Sequence, residues 1–206
     1  MENQYEFLEK LNKDIEANPL NGNAFFNRAL VKSQLGDIKG AIADFDKVIE
    51  LNPNDAEAYN YRGIEKKNLR DIYGAIEDYT KAIEIDGSYA NAYHNRGNAM
   101  TKLERFRNAI DDYNKAIELE PWIKNSHHGR ASAKDYLGDK QGALDDYTTE
   151  IEVNPDGANA YYDRGITKMS LDDRSGAYLD WNKALELGHL GAGNMLKTLN
   201  VKYFGN

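Results

Sequence analysis

Residues 56–89 read AEAYNYRGIEKKNLRDIYGAIEDYTKAIEIDGSY, and the same pattern recurs every 34 residues along most of the chain. Within this stretch apolar residues fall at helical spacing twice. The first run includes Tyr59 and Leu69, and the second includes Ala75 and Tyr79. Two short helical runs separated by a break predict a helical hairpin as the repeating unit.

Three columns of residues keep the 34-residue step in five copies. Columns in register predict one unit copied without insertions or deletions, at 22–55, 56–89, 90–123, 124–157 and 158–191. The columns are an alanine (Ala41, Ala75, Ala109, Ala143, Ala177), an aromatic (Phe45, Tyr79, Tyr113, Tyr147, Trp181) and a leucine (Leu35, Leu69, Leu103, Leu137, Leu171).

The ends of the helices also follow the repeat. An aspartate stands between the two runs in four copies, where its side chain can accept from free N–H groups and start the second helix, and Arg105 replaces it in the third copy. Proline ends the second helix in three copies, because it disfavours helical dihedrals in the residue before it. These residues are Asp37, Asp71, Asp139 and Asp173, and Pro53, Pro121 and Pro155.

At this point the chain resembles the tetratricopeptide repeat (TPR) family, in the length of the unit, its small-residue contacts and its helix-breaking end. The resemblance covers about nine tenths of the chain. It implies an all-α, right-handed superhelical solenoid with a concave groove lined by the first helices. We expect one domain over residues 1–206, with a capping helix at each end, in 1–21 and 192–206. The apolar residues of the last segment are Ala192, Met195, Leu196, Leu199, Tyr203 and Phe204.

The composition and motifs of the chain limit the classes of function to be considered. A net charge of −8 and a pI near 5.1 argue against nucleic-acid binding, which needs clustered cations. No stretch is long and apolar enough for a membrane span, and no basic segment followed by an apolar run opens the chain, so we expect a cytoplasmic protein. No phosphate loop, nucleophile motif or paired-acid motif is present, and we expect neither an enzyme nor a cofactor.

Two charged columns stand where packing is expected. We predict that they form partly buried pairs, either within a hairpin or between neighbouring hairpins, because a guanidinium suits bidentate contact and neither charge tolerates burial alone. The alternative is that the arginines face the groove and bind a partner's carboxylates. The columns are Arg28, Arg62, Arg96, Arg130 and Arg164, and, sixteen residues later in each copy, Asp44, Asp78, Asp112, Asp146 and Asp180.

Residues that vary between copies are the candidates for partner recognition, since the constant columns serve the architecture. On the first helices, the side away from the packing columns is rich in Asn, Tyr and His, which suits an extended peptide. The alternative is that these residues only keep the groove hydrated and the protein soluble. The predicted contacts are Asn27, Asn60, Tyr61, His94, Asn95, Asn98, His128, Tyr162 and Asp163.

One TPR subclass binds acidic C-terminal tails through Lys, Arg and Asn on successive first helices. Here Asn60, Asn95 and Asn98 can supply amides, but asparagines stand at the helix openings where that subclass has basic residues. The resemblance therefore does not favour a chaperone-tail function.

The fourth unit departs most from its siblings. Glu150 stands where the other copies have Val or Ala, and a buried carboxylate needs a partner, for which His127 or a polar residue of the fifth unit is available. The alternative is a carboxylate that is compensated locally or that reaches solvent. The functional alternative is a side pocket near Gly129 and Tyr162, where the missing side chain would leave space for a ligand group. His94 and His128 occupy equivalent places on first helices, but zinc usually needs three or four ligands, so we predict no metal site.

The sequence thus predicts a non-catalytic scaffold that binds a peptide or protein segment in its groove. The alternative is a structural protein whose chains associate through terminal helices, for which Trp122, Tyr203 and Phe204 are the apolar candidates.

Overall fold

The computed structural model describes residues 2–199, with side chains from residue 4 onward. Every element in this range is an α-helix, and none is long and apolar enough to cross a membrane. The helices are α1 (Glu2–Ala17), α2 (Gly22–Gln34), α3 (Ile38–Leu51), α4 (Ala56–Asn68), α5 (Ile72–Ile85), α6 (Ala90–Lys102), α7 (Phe106–Leu119), α8 (Ser126–Tyr136), α9 (Lys140–Val153), α10 (Ala158–Ser170), α11 (Arg174–Glu186) and α12 (Ala192–Leu199).

The chain forms two compact units, residues 1–102 and 103–206, which divide between α6 and α7. In each unit successive helices pack on their neighbours in chain order, as stacked hairpins do. The predicted all-α fold is confirmed as a helical repeat solenoid. The single domain expected over residues 1–206 stays a prediction.

The alanine and aromatic columns form the core of the hairpins. All five alanines are fully buried, and the five aromatics are at most 2% exposed. The small residue on the first helix lets the aromatic ring close against the backbone: a Cβ added at Gly63 would lie 2.7 Å from Cε1 of Tyr79. The columns therefore recur because each hairpin packs in the same way.

Aspartate starts the second helix wherever the sequence placed it. In α3, α5, α9 and α11 its carboxylate accepts from the backbone N–H three residues later, at 2.9–3.0 Å. Arg105, at the same position before α7, makes no such bond. The predicted caps are confirmed.

A single helix packs at each end of the described chain. Leu11 of α1 lies in a cluster with Ala24 and Val31 of α2. Leu196 and Leu199 of α12 pack in the cluster that contains Trp181. Tyr203 and Phe204 lie outside the described residues.

The two charged columns pair within the hairpin in the four copies where both partners lie in one unit. The arginine Nε donates to one aspartate oxygen at 2.8–2.9 Å, and Nη2 donates to the other at 2.6–2.7 Å. These four aspartates are only 3–5% exposed. This bidentate geometry confirms the predicted pairs and excludes the alternative of groove-facing arginines for Arg28, Arg62, Arg130 and Arg164.

Each of these arginines also joins its hairpin to the preceding helix. Nη1 of Arg62 donates to Asp46 at 2.7 Å, sixteen residues back, and Nη1 of Arg130 donates to Asn114 at 2.7 Å. A lysine one turn after the arginine gives the same aspartate a second cation. These ion pairs are Lys32–Asp44, Lys66–Asp78, Lys134–Asp146 and Lys168–Asp180.

Glu150 is compensated locally in the fourth hairpin, and the expected partners, His127 or a polar residue of the fifth unit, were wrong. Its carboxylate is 1% exposed, and its partners are backbone groups at the start of α8. Oε1 accepts from the Asn125 N–H at 3.0 Å, and Oε2 accepts from the His128 N–H at 3.3 Å. The proposed partner His127 instead contacts the Pro121 carbonyl at 3.2 Å.

The reason lies in how α8 begins. Asn21 and Asp55 cap α2 and α4 with their own side chains, but the equivalent residue before α8 is Ile123, which cannot. The helix starts two residues later than its predicted unit, after Asn125 with a φ of 65° and no side-chain cap. Glu150 therefore supplies from α9 the anionic cap that α8 lacks.

Candidate functional site

The predicted contact residues lie on the first helices of the hairpins. In the unit of residues 1–102 these helices are α2, α4 and α6, and in the other unit they are α8 and α10. The first group carries Asn27, Asn60, Tyr61, His94, Asn95 and Asn98, and the second carries His128, Tyr162 and Asp163.

Many of these side chains pair with each other across the seam between adjacent first helices. The partners stand 35 residues apart, and each pair is matched in chemistry. Phe26 packs edge-on against Tyr61 with ring centroids 5.5 Å apart. The Asn95 amide donates to Asn60 Oδ1 at 2.9 Å, and His128 Nε2 lies 2.8 Å from Asp163 Oδ2. The variation between copies therefore serves in part to match each hairpin to its neighbour.

This pairing changes the part expected for two predicted contacts. Asn60 is 3% exposed, and its amide nitrogen donates to the Tyr89 hydroxyl at 3.2 Å. The ring of Tyr162 stacks on His189 with centroids 3.9 Å apart, and its carbonyl accepts from Trp181. Asn60 therefore bonds Asn95 and Tyr89, and the ring of Tyr162 packs on His189, while contact of either residue with a partner stays a prediction.

Other predicted contacts keep accessible polar groups. Asn27 is exposed and makes no hydrogen bond to another described residue. Asn95 uses its amide nitrogen on Asn60, so its carbonyl oxygen is left for other donors. Asp163 is one-third exposed while it contacts His128. These side chains give the first-helix faces a polar surface, in which hydrogen bonds hold Asn95 and Asp163 in place.

His94 is held neutral in this surface. The Asn98 amide nitrogen lies 2.8 Å from His94 Nε2, and an amide nitrogen can only donate, so Nε2 accepts. Burial, and then the positive charge of Lys67, lower the pKa of His94 to about 4. Both observations leave the ring uncharged at neutral pH.

We expect the His94 imidazole to titrate near pH 4 in an NMR titration of its carbon-bound protons. The unfolded chain then binds more protons between pH 6.5 and 4, so the contribution of His94 to stability falls as the pH drops through this range. Lys67→Met removes the neighbouring charge and should raise the midpoint. A wild-type midpoint near 6.5 would contradict the assignment.

A second seam contact involves residues 32 apart. Ser33 donates to Glu65 at 2.6 Å, and Thr167 donates to Asp135 at 3.2 Å. Glu65 and Thr167 are almost fully buried, so these bonds satisfy polar groups that water does not reach. The same separation of 32 residues pairs Lys67 with Ala99, whose methyl side chain cannot accept a hydrogen bond.

A polar notch recurs where consecutive first helices begin. The notch in the first hairpin has a volume of about 430 Å³ and is lined by residues that include Asn23, Asn52 and Glu57. Its equivalents are lined by residues that include Asp86 and Asn91 in one case, and Asn154 and Asn159 in the other. The sequence showed these residues at the helix openings, but not that they enclose space.

The expected side pocket at Gly129 is absent. A Cβ at this position would lie 2.5 Å from Cζ of Tyr113, so the tyrosine of the preceding hairpin already occupies the space. The hypothesis was wrong because the missing side chain serves close packing, not ligand entry.

The described residues contain no group of three or more His, Cys, Asp or Glu side chains placed to hold a metal ion. The two histidines weighed as a metal pair have other contacts: His94 bonds Asn98 in one unit, and His128 bonds Asp163 in the other.

Sequence models of the repeat match the hairpins seen here. The tetratricopeptide repeat model matches residues 22–55 and 90–122, which begin at the first residue of α2 and of α6. A second TPR model matches residues 71–104. The chain belongs to the tetratricopeptide repeat family.

Several solved structures share the fold at low identity. YrrB, described as a TPR protein with an unusual peptide-binding site, is 24% identical with a TM-score of 0.73, and the match covers 92% of this chain and 99% of YrrB. MamA is 26% identical over 84% of this chain and 94% of its own, with a TM-score of 0.71. A MamA chain from Desulfovibrio magneticus RS-1 is 17% identical over 81% and 94%, with a TM-score of 0.74.

No curated protein matches the sequence. In contrast, 417 chains of solved structures match, so the fold alone names no partner. As a TPR protein, the chain is a protein-interaction scaffold of a family whose members bind protein or peptide partners and are generally non-catalytic.

Proposed function

We propose that this TPR protein binds an extended peptide or protein segment along the first-helix faces of its hairpins, and that it has no chemistry of its own. The observation that carries the proposal is the set of matched seam pairs. Because Asn60–Asn95 and His128–Asp163 fix their side chains before any partner arrives, the surface is pre-formed. A pre-formed surface loses little conformational entropy on binding, so most of the ordering cost falls on the partner.

The chemistry of the surface suits a peptide backbone. Asn27 and the free oxygen of Asn95 can bond backbone amides of any sequence, and the polar notches can receive side chains at the helix openings. These residues lie in one unit, so the proposal does not depend on the placement of the other. The cytoplasmic location and the absence of nucleic-acid binding stay predictions from the sequence.

The test blocks the surface with a bulky side chain. A random-peptide display library is panned on the protein, and the selected peptides are measured against Asn27→Arg and against Asn54→Arg, the same substitution at an exposed turn residue. We expect Asn27→Arg, or Ile166→Arg on α10, to weaken a selected peptide at least tenfold, since a blocked contact loses about 1.4 kcal/mol or more. Asn54→Arg should leave affinity unchanged.

A second exposed control matches Ile166→Arg: Leu179→Arg on α11 makes the same apolar-to-arginine change outside the first helices. If the library yields no peptide, or if its peptides bind all four variants equally, the first-helix faces are not the binding surface.

The alternative is self-association through apolar surface. Trp122 is 75% exposed in the turn before α8, and Leu190 is 94% exposed between α11 and α12. Large apolar side chains in water favour a partner surface. Mass measurement in solution tests this function: a monomer at all concentrations excludes it, and a dimer that Trp122→Ser or Leu190→Ser dissociates supports it.

A further inference from the structure

Two lysines on the first helices have no carboxylate partner. Lys67 lies in the last turn of α4, and Lys102 is the last residue of α6, the neighbouring first helix in the same unit. Neither forms an ion pair or a hydrogen bond with any residue in the described range 4–199. The first-helix lysines that follow the arginine column behave differently, since each pairs with a buried aspartate: Lys32, Lys66, Lys134 and Lys168.

The contacts between adjacent first helices explain why Lys67 has no ion-pair partner. At the equivalent places Ser33 bonds Glu65, and Asp135 bonds Thr167, but the counterpart of Lys67 is the buried methyl group of Ala99. The nearby carboxylate of Glu65 already accepts from Ser33 and from Asn68. The Lys67 ammonium is therefore half-buried without an ion pair: the charge of Glu65 raises the pKa of Lys67, but the two side chains form no salt bridge.

The two positive charges are close enough to affect each other. Burial, and then repulsion from Lys102, lower the pKa of Lys67, and Lys67 in turn lowers the pKa of His94. An unpaired, half-buried ammonium beside a second cation costs stability. In a chain of net charge −8, this is a local positive patch next to the polar surface of Asn95 and Asn98.

We infer that Lys67 and Lys102 together bind a carboxylate of the partner, from an aspartate or glutamate side chain in the bound segment. The inference rests on the proposed function, because it names the chemistry of the segment that the first-helix faces bind. It places the acidic contact in the last turns of α4 and α6, not at the helix openings, where asparagines stand.

A carboxylate fits this place better than a phosphate. Both lysines lie at the C-terminal ends of their helices, where the free carbonyl groups carry partial negative charge. Phosphate sites favour the opposite end, where backbone N–H groups point at the anion. The attraction of two ammonium groups can offset the repulsion between these carbonyl groups and one carboxylate charge. A phosphate dianion would be repelled more strongly by the same carbonyl groups.

The experiment uses a capped peptide with two glutamates among serines and glycines, and its glutamine counterpart, on the full chain at fixed ionic strength. NMR follows the side-chain signals of Lys67, Lys102 and His94. The variants are Lys67→Met and Lys67→Met/Lys102→Met, with Lys39→Met, an exposed lysine of α3, as the matched loss of charge. Inorganic phosphate is a separate arm.

We expect the glutamate peptide to bind wild type and Lys39→Met equally, and the double variant about tenfold more weakly, as for loss of a charged hydrogen bond. The glutamine peptide should also bind about tenfold more weakly to wild type than the glutamate peptide does, so that loss of either charge partner has the same effect. Bound carboxylate should move the His94 signals, and Lys67→Met should raise the melting temperature of the free protein by removing the repulsion.

Three results would overturn the inference. The first is that the glutamate peptide fails to bind wild type up to millimolar concentration, or binds the double variant as tightly as wild type. Phosphate moves the same signals at a lower concentration than the peptide, which would make this a phosphate site. Lys67→Met lowers the melting temperature and leaves peptide affinity unchanged, which would make Lys67 a structural residue of the helix end. None of these results bears on whether Asn27→Arg blocks selected peptides, so the proposed function is tested separately.

Discussion

Replacing Glu150 with alanine is expected to lower the free energy of unfolding by about 3 kcal/mol, although alanine stands at this place in three sibling repeats. In the siblings the first helix does not depend on this residue. In the fourth hairpin the Glu150 carboxylate is the acceptor for the N–H groups of Asn125 and His128 at the start of α8. Alanine would leave both donors without their partner in a site from which water is excluded.

Chemical denaturation measures the loss, and hydrogen exchange locates it, since the amides of Asn125 and His128 should lose protection first. Glu150→Gln keeps one acceptor oxygen and should lose about half as much. Glu152→Ala removes an exposed acid from the same helix and should change stability by no more than about 0.5 kcal/mol. Equal stability of Glu150→Ala and wild type would show that the carboxylate does not cap α8.

Replacing Arg62 with alanine is expected to cost about 2 to 3 kcal/mol of unfolding free energy. The guanidinium makes a bidentate contact with Asp78, donates to Asp46 of the preceding hairpin, and lies over the ring of Tyr59 with 5.2 Å to the centroid. Asp78 is 3% exposed and would be left with Lys66 alone. The remaining pair keeps the loss below the larger values seen for a fully unpaired buried charge.

The geometry of the contact is separable from its charge. Arg62→Lys keeps the cation but cannot form the fork, and should lose about 1 kcal/mol or more. Lys47→Ala breaks an exposed pair with Glu50 on the adjacent helix and should cost less than about 0.5 kcal/mol. A loss for Arg62→Ala as small as that for Lys47→Ala would mean that the buried pair adds nothing to stability.

Much of the fold could be predicted from the amino-acid sequence alone. The alanine and aromatic columns predicted the core, the aspartates predicted the caps, and the arginine and aspartate columns predicted the pairs, because each of these contacts recurs in successive copies. Only the structure decided that the charge pairs form within a hairpin. Contacts inside a repeat have a fixed sequence separation, so they appear as columns when the copies are aligned.

The candidate site was less predictable. Asn60 and Tyr162 belong to the expected face, but the structure buries one against Tyr89 and Asn95 and stacks the other on His189. The sequence placed Lys67 on a first helix but did not show that it lies opposite Ala99, which leaves it without an ion pair. The signal that would have found these pairs is the separation of 35 or 32 residues between matched side chains on neighbouring repeats.

The sequence alone determined the repeat, its helical hairpins, its caps and its buried charge pairs. These features arise from local propensity and from contacts repeated in each copy, so the periodicity of the chain encodes them. Only the tertiary structure decided which carboxylate caps α8, which ring fills the space at Gly129, and which polar residues of the first helices stay free. Those outcomes depend on which side chain of a neighbouring helix lies at each place, and because the residues at these places differ between copies, the periodicity of the sequence does not encode them.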